Sequence, residues 1–216
     1  MCRNRLVEFL QDASMNGPDD VVMRKLIVIE FLSADGVMQG LGSPTEDTEG
    51  GFTLGGWGAP YAQAIHETAA AEDTNTTSAY LFGRRTYQKL AAFWPHQPDS
   101  NPMAAHLNHT PKHVATRTLT SVTWEGTRIL DDDLPSAVRG LKERGNGAIA
   151  VLGSGVLVHQ LLLADLVDEL RLFIHPLLLG TGKRLFRELP FPRTLELEQC
   201  STTSLGTVAL RYAVQR

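Results

Sequence analysis

AIAVLGSGVLVHQLLLAD (148–165) carries the change from strand to helix within one stretch. AIAVLG (148–153) is apolar at every position, as a strand buried on both faces must be. The Gly-Ser-Gly that follows is turn chemistry, and SGVLVHQLLLAD (154–165) continues as a helix. A strand running straight into a helix is half of a parallel crossover unit. The same order appears upstream in SAYLFG (78–83) and RRTYQKLAAFW (84–94). There Tyr87, Leu90, Ala91 and Trp94 recur at i, i+3, i+4 and i+7, and Pro95 ends the helix.

The rest of the chain is consistent with these two units. RKLIVIEFLS (24–33) reads as the first buried strand and YAQAIHETAAAED (61–73) as a helix. PMAAHLNH (102–109) is a short helix, KHVATR (112–117) a third strand and TRILD (127–131) a fourth. Asp133 caps a further helix, with Pro135 in its first turn and Leu134, Val138 and Leu141 inward. VDELRLFIHP (167–176), RTLELEQCSTT (193–203) and GTVALRYAVQ (206–215) are strands, the last two joined as a hairpin through Ser204, Leu205 and Gly206. Alternating strands and helices predict an α/β fold with a mainly parallel eight-stranded sheet, helices on both faces and a C-terminal antiparallel hairpin. No linker or repeat divides it. Residues 23–216 read as a single domain, and 1–22 as an N-terminal extension outside the fold.

Composition narrows the function. The chain has 216 residues, 43% hydrophobic and 20% charged, with a formal net charge of −4. Nothing basic invites nucleic acid. No apolar run approaches the roughly 18 residues of a membrane helix, so no membrane role is expected. Cys2 and Cys200 lie at opposite ends and form no disulfide framework, which fits a cytoplasmic protein. His106, His109 and His113 have near metal spacing, but Pro111 breaks any shared face, and no metal site is expected.

Parallel sheets bind ligands at the carboxyl ends of their strands. Three such ends offer groups that suit phosphate. Gly83, Arg84, Arg85 and Thr86 open a helix, where free N–H groups, the helix dipole and guanidiniums attract anions. Gly153, Ser154, Gly155 and Val156 form a turn that lets backbone approach a pyrophosphate. Thr116 and Arg117 suit a phosphate monoester. Together they suit a dinucleotide with three phosphates. The long Gly-rich stretch 34–60 is a candidate lid. Trp57 and Tyr61 beside it are flat rings able to stack on a heterocycle.

Five segments in order resemble the dihydrofolate reductase-like family, in the branch of the riboflavin-biosynthesis reductase domain and its small stand-alone relatives. They are IEFLSADGVMQG (29–40), YLFGRRTYQ (80–88), PKHVATRTL (111–119), IAVLGSGVLVHQLL (149–162) and VDELRLFIHPLLLGTGKRLF (167–186). The resemblance implies NADPH as cofactor and hydride transfer to a small heterocyclic, pterin- or pyrimidine-like acceptor. It implies that Gly83, Arg84, Arg85 and Thr86 hold phosphates and that Thr116 and Arg117 hold the 2′-phosphate. Gly153, Ser154, Gly155 and Val156 would lie against the pyrophosphate, and Ser33, Asp35 and Gly36 would line the nicotinamide end. It also implies a homodimer. No catalytic acid is assigned. Glu67, the one acid in the middle of the first helix, is expected on a solvated face. The alternative is a non-catalytic NADP(H)-binding module or sensor on the same fold.

Overall fold

The structure is a computed structural model that describes residues 23–71, 76–131 and 133–216. Residues 1–22, expected to lie outside the domain, and the last residues of the expected 61–73 helix fall outside the described residues. Strand β1 (Leu26–Ser33) is the apolar run expected. Its Leu26, Val28 and Leu32 point into the main core, one residue in two. Next come α1 (Ala62–Ala71), β2 (Thr77–Gly83), α2 (Arg84–Phe93), α3 (Pro102–His109), β3 (Lys112–Ala115) and β4 (Thr127–Ile129). α4 (Leu134–Lys142), β5 (Ala148–Val151), α5 (Gly155–Leu163), β6 (Glu169–His175), β7 (Leu195–Thr202) and β8 (Val208–Val214) complete the chain.

The eight strands form one sheet in the order β4-β3-β2-β5-β1-β6-β8-β7. Every pairing among β1 to β6 is parallel. β8 pairs antiparallel with both β6 and β7. The C-terminal hairpin thus folds back, placing its second strand inside and its first at the edge. β7 is exposed along nearly its whole length, so it cannot be the inner strand.

Helices cover both faces. On one, Leu157, Val158 and Leu161 of α5 and Val138 of α4 pack on β1, β2, β5 and β6. On the other, Tyr87, Leu90 and Ala91 of α2, Trp94 and Leu107 of α3 pack on Tyr80, Phe82 and Val114. The α2 stripe is thus the one its spacing predicts. The Asp133 cap also forms, accepting from the Ser136 N–H at 3.2 Å.

Lys112 is fully buried. Its ammonium donates to the carbonyls of Leu107 (2.8 Å), Asn108 (3.0 Å) and Thr110 (2.8 Å) and lies 4.8 Å from the centre of the Trp124 ring. It closes the C-terminal end of α3, where carbonyls have no intrahelical donors.

Candidate active site

β1 and β5 pair only as far as Val28↔Val151. β1 then runs on beside β6 to Ser33↔His175, while the chain after β5 turns away. The two strands part and leave a crevice at their carboxyl ends. Two helices begin at its rim. α2 starts directly after Gly83 and α5 directly after Ser154. Neither cap residue bonds its helix through a side chain, so the first-turn N–H groups of both remain for a ligand. The starts abut: a Cβ on residue 83 would lie 2.7 Å from Ser154 Oγ. Gly153 has φ +68°, a left-handed conformation that glycine tolerates, and the Gly153–Ser154 peptide is cis.

Alongside runs a cleft of about 910 Å³ lined by Arg84, Thr116, Arg117, Thr118, Asp133, Arg139 and Gln160, among others. β3 ends at Ala115, so Thr116 and Arg117 lie just past the strand rather than in it. Thr116 Oγ1 accepts from the N–H groups of Thr118 and Leu119, both at 3.1 Å, which fixes the loop that presents Arg117. Arg139 and Gln160, from α4 and α5, carried no sequence signal. They are ordinary polar residues of helices until the fold turns them to this cleft.

Arg85 sits apart from this group. Its guanidinium forms an ion pair with Glu49 in the 34–60 stretch. Lys183 bonds both Asp47 (2.7 Å) and Glu49 (2.6 Å). Glu49 is held at a pKa of about 2, first by the Arg85 hydrogen bond and then by Lys183. These pairs latch the Gly-rich stretch across the start of α2 and onto the loop after β6. Gln39 continues the latch, bonding the N–H of Lys183 through Oε1 at 2.9 Å.

The residues expected at the nicotinamide end form a second cluster. Ser33 Oγ donates to Asp35 Oδ1 (2.6 Å) and accepts from the Val37 N–H (3.0 Å). Asp35 also accepts from the N–H groups of Leu179 (3.1 Å) and Gly180 (2.8 Å). These bonds, the Ser33 hydroxyl foremost, depress its pKa to about 2. Asp35 is therefore an ionised anchor for the 177–184 loop. Gly36 follows it at φ +80°. The Trp57 ring is buried inside the loop, with its N–H given to the Gln39 carbonyl at 2.7 Å and its edge toward His175. Tyr61 stacks on His175 with centroids 4.7 Å apart, and its hydroxyl meets the Pro176 carbonyl at 3.3 Å. Met38 joins the clusters: a Cβ on Gly155 would lie 2.9 Å from Met38 Sδ. Val156 is exposed on the first turn of α5. Glu67 is tied to the β7–β8 turn, accepting from Ser204 N (3.1 Å) and Oγ (2.7 Å).

One residue in the crevice was given no role by the sequence motifs. Glu30 lies on β1 between Val28 and Leu32, on the core-facing parity of the strand. It is 7% exposed, and its Oε1 has no hydrogen-bond partner among the described residues. Burial pushes its pKa up to about 8, opposed by the backbone N–H of Gly153. The signal was present in LIVIEFLS (26–33), as a lone acid at a core position of an apolar strand.

The mostly parallel eight-stranded sheet, its helices and its C-terminal antiparallel hairpin place the chain in the dihydrofolate reductase-like fold class. Within it, the chain belongs to the RibD C-terminal domain family, which matches residues 24–209 and is a family of NADPH-dependent reductases. It is 29% identical over 141 residues to YyaP of Bacillus subtilis (strain 168), itself uncharacterised, covering 64% of this chain and 74% of that one. The structure resembles a candidate riboflavin biosynthesis protein of Shewanella sp. PV-4 (TM-score 0.64, 19% identity, 89% of this chain and 99% of that one). It also resembles the dihydrofolate reductase of Enterococcus faecalis solved with NADP(H) (TM-score 0.53, 16% identity, 88% of this chain and 94% of that one). Among the described residues, no helix is long and apolar enough to cross a membrane.

Proposed function

We propose that this protein is an NADPH-dependent reductase that passes a hydride to a small planar heterocycle of pterin or pyrimidine type. The observation that carries the reading is the cleft holding Arg84, Arg117 and Arg139, which reaches the first residue of α2, the helix whose start abuts that of α5, and runs along the C-terminal half of α5. The residues fit the dinucleotide. The helix starts supply N–H donors and positive dipole ends for a diphosphate. Thr116, Arg117 and Arg139 supply a hydroxyl and two guanidiniums for the adenosine 2′-phosphate. Bound NADPH supplies the hydride, so the protein needs no nucleophile. Its work is to hold the reacting carbons together and to keep water out. The Asp35 anchor and the Lys183 latch hold the two covering loops for that purpose. The same proposal includes a homodimer and a cytoplasmic location. The open edge at β7, with Leu197 exposed, is the natural surface for a second copy.

Calorimetric titration with NADPH and then NADH tests the reading. NADPH binds tightly and NADH weakly, because only NADPH carries the 2′-phosphate. Arg117→Ala weakens NADPH by about 10- to 100-fold, the equivalent of one charge-assisted hydrogen-bond set, and leaves NADH nearly unchanged. Equal loss for both cofactors removes the 2′-phosphate assignment. Loss of nicotinamide absorbance with pterin or pyrimidine acceptors then separates a reductase from a binding module.

A further inference from the structure

Glu30 is the buried acid that the reading above leaves without a task. It sits where β1 leaves β5, opposite Leu172 of β6. Above it lies the turn after β5, and beside it the first turn of α2. A Cβ on residue 153 would stand 3.5 Å from Glu30 Oε1 and 3.1 Å from Thr86 Oγ1. The carboxyl and the hydroxyl thus converge on a patch that only the missing side chain of Gly153 leaves open. The groups that face Glu30 are uncharged: Leu172 from β6, Gly153 from the β5–α5 turn and Thr86 from α2. Of the two arginines at the start of α2, Arg85 is paired with Glu49 and Arg84 lines the cleft, and neither forms an ion pair with Glu30. A buried carboxylate with no cation is costly, and a buried carboxyl oxygen with no hydrogen-bond partner is rare. Both features are resolved when the group is a neutral acid with a ligand to bond.

We propose that Glu30 acts as a neutral carboxylic acid at the foot of the β1–β5 crevice, donating a hydrogen bond to the carboxamide oxygen of the nicotinamide. The proposal rests on the dinucleotide reading and deepens it. A Glu30 carboxylate would present an acceptor where the carboxamide oxygen needs a donor. Binding therefore selects the protonated form. By linkage, the NADPH Kd is flat below pH 8 and rises up to about tenfold per pH unit above it. Burial, opposed by the Gly153 N–H, places that turning point.

The test is fluorescence titration of NADPH from pH 6.5 to 9.5 at constant ionic strength, with wild type and Glu30→Gln. Glutamine keeps a donor and does not titrate, so its affinity stays within a few-fold of wild type at pH 7 and shows no rise above pH 8. Adenosine 2′,5′-bisphosphate, which has no nicotinamide, binds both proteins alike at every pH. The proposal is overturned if wild type and Glu30→Gln follow the same pH curve, or if the bisphosphate shows the Glu30-dependent rise. If neither ligand binds at any pH, the dinucleotide reading fails and takes this one with it.

A second measurement needs no ligand. Glu30 has a raised pKa, so its stabilising contribution is full below the unfolded value near 4.5 and is lost as pH rises toward about 8. The thermal stability of Glu30→Gln relative to wild type therefore climbs between those values and levels off above them. A pH-independent difference shows that Glu30 is not held neutral and ends the proposal.

Discussion

Replacing Lys112 by methionine isolates what one buried ammonium does for the junction between α3 and β3. The substitution keeps a flexible chain of similar length, so little volume is lost. It removes three donors from the carbonyls of Leu107, Asn108 and Thr110 and the contact with Trp124. Hydrogen bonds to a charged group contribute about 1.5–3 kcal/mol each in mutational series. Two effects reduce the sum. Lys112 itself no longer has to be desolvated; burial already pushes its pKa down to about 8, although it remains charged at pH 7. The freed carbonyls at the end of α3 also recover some water. The net loss should then be about 2–4 kcal/mol. For a domain of this size that is a fall in Tm of roughly 5–15 °C. Urea unfolding followed by far-ultraviolet circular dichroism at pH 7 measures it, with an unchanged m-value showing that the native state is intact. A methionine variant as stable as wild type would refute the reasoning. It would mean that desolvating the ammonium costs as much as its three bonds return, as happens at some buried ion pairs.

Two other perturbations follow from the site geometry. Gly153→Ala forces an L-residue to φ +68° and drives its Cβ toward Thr86 Oγ1 at 3.1 Å. It should cost about 1–2 kcal/mol from the left-handed backbone alone and weaken NADPH binding, as melting curves and titration will show. Asp35→Asn keeps one acceptor oxygen for the Ser33 hydroxyl and the Leu179 N–H but removes the charge and sets an amide donor against the Gly180 N–H. It should cost about 1–2 kcal/mol at pH 7. The Asp35 pKa is depressed to about 2, so its contribution is present above the unfolded value of 3.8 and is lost as pH falls through 2. The wild-type advantage in urea unfolding should therefore shrink between pH 4 and pH 2. A gap that stays constant down to pH 2 would show that the charge of Asp35 plays no part.

Much of this molecule is local and was legible as such. The α2 stripe of Tyr87, Leu90, Ala91 and Trp94, the Asp133 cap and the run of βα units follow from residues within one or two turns of each other. Side-chain period and cap chemistry act at that range. Gly83 and Ser154 were also visible as helix starts. Their contact was not, because it depends on β2 and β5 becoming neighbours across 64 or more intervening residues. The same holds for the hairpin. Its two strands are evident in order, but which one lies inside depends on the partner that β6 offers.

Charge was the least legible property. Arg85 reads as a phosphate ligand from its place at a helix start, yet Glu49 from a distant loop claims it. Arg139 and Gln160 read as solvated helix residues, yet the sheet order turns them to the cleft. Glu30 stands in the strand pattern as an anomaly, but only the packed helices and the turn at Gly153 make it a buried acid whose Oε1 has no partner among the described residues. Sequence neighbours set where a backbone turns and which face is apolar, since those forces fall off within a few residues. The protonation and the partner of a side chain depend on how much water and which charges surround it, and those are brought by segments far away in the chain.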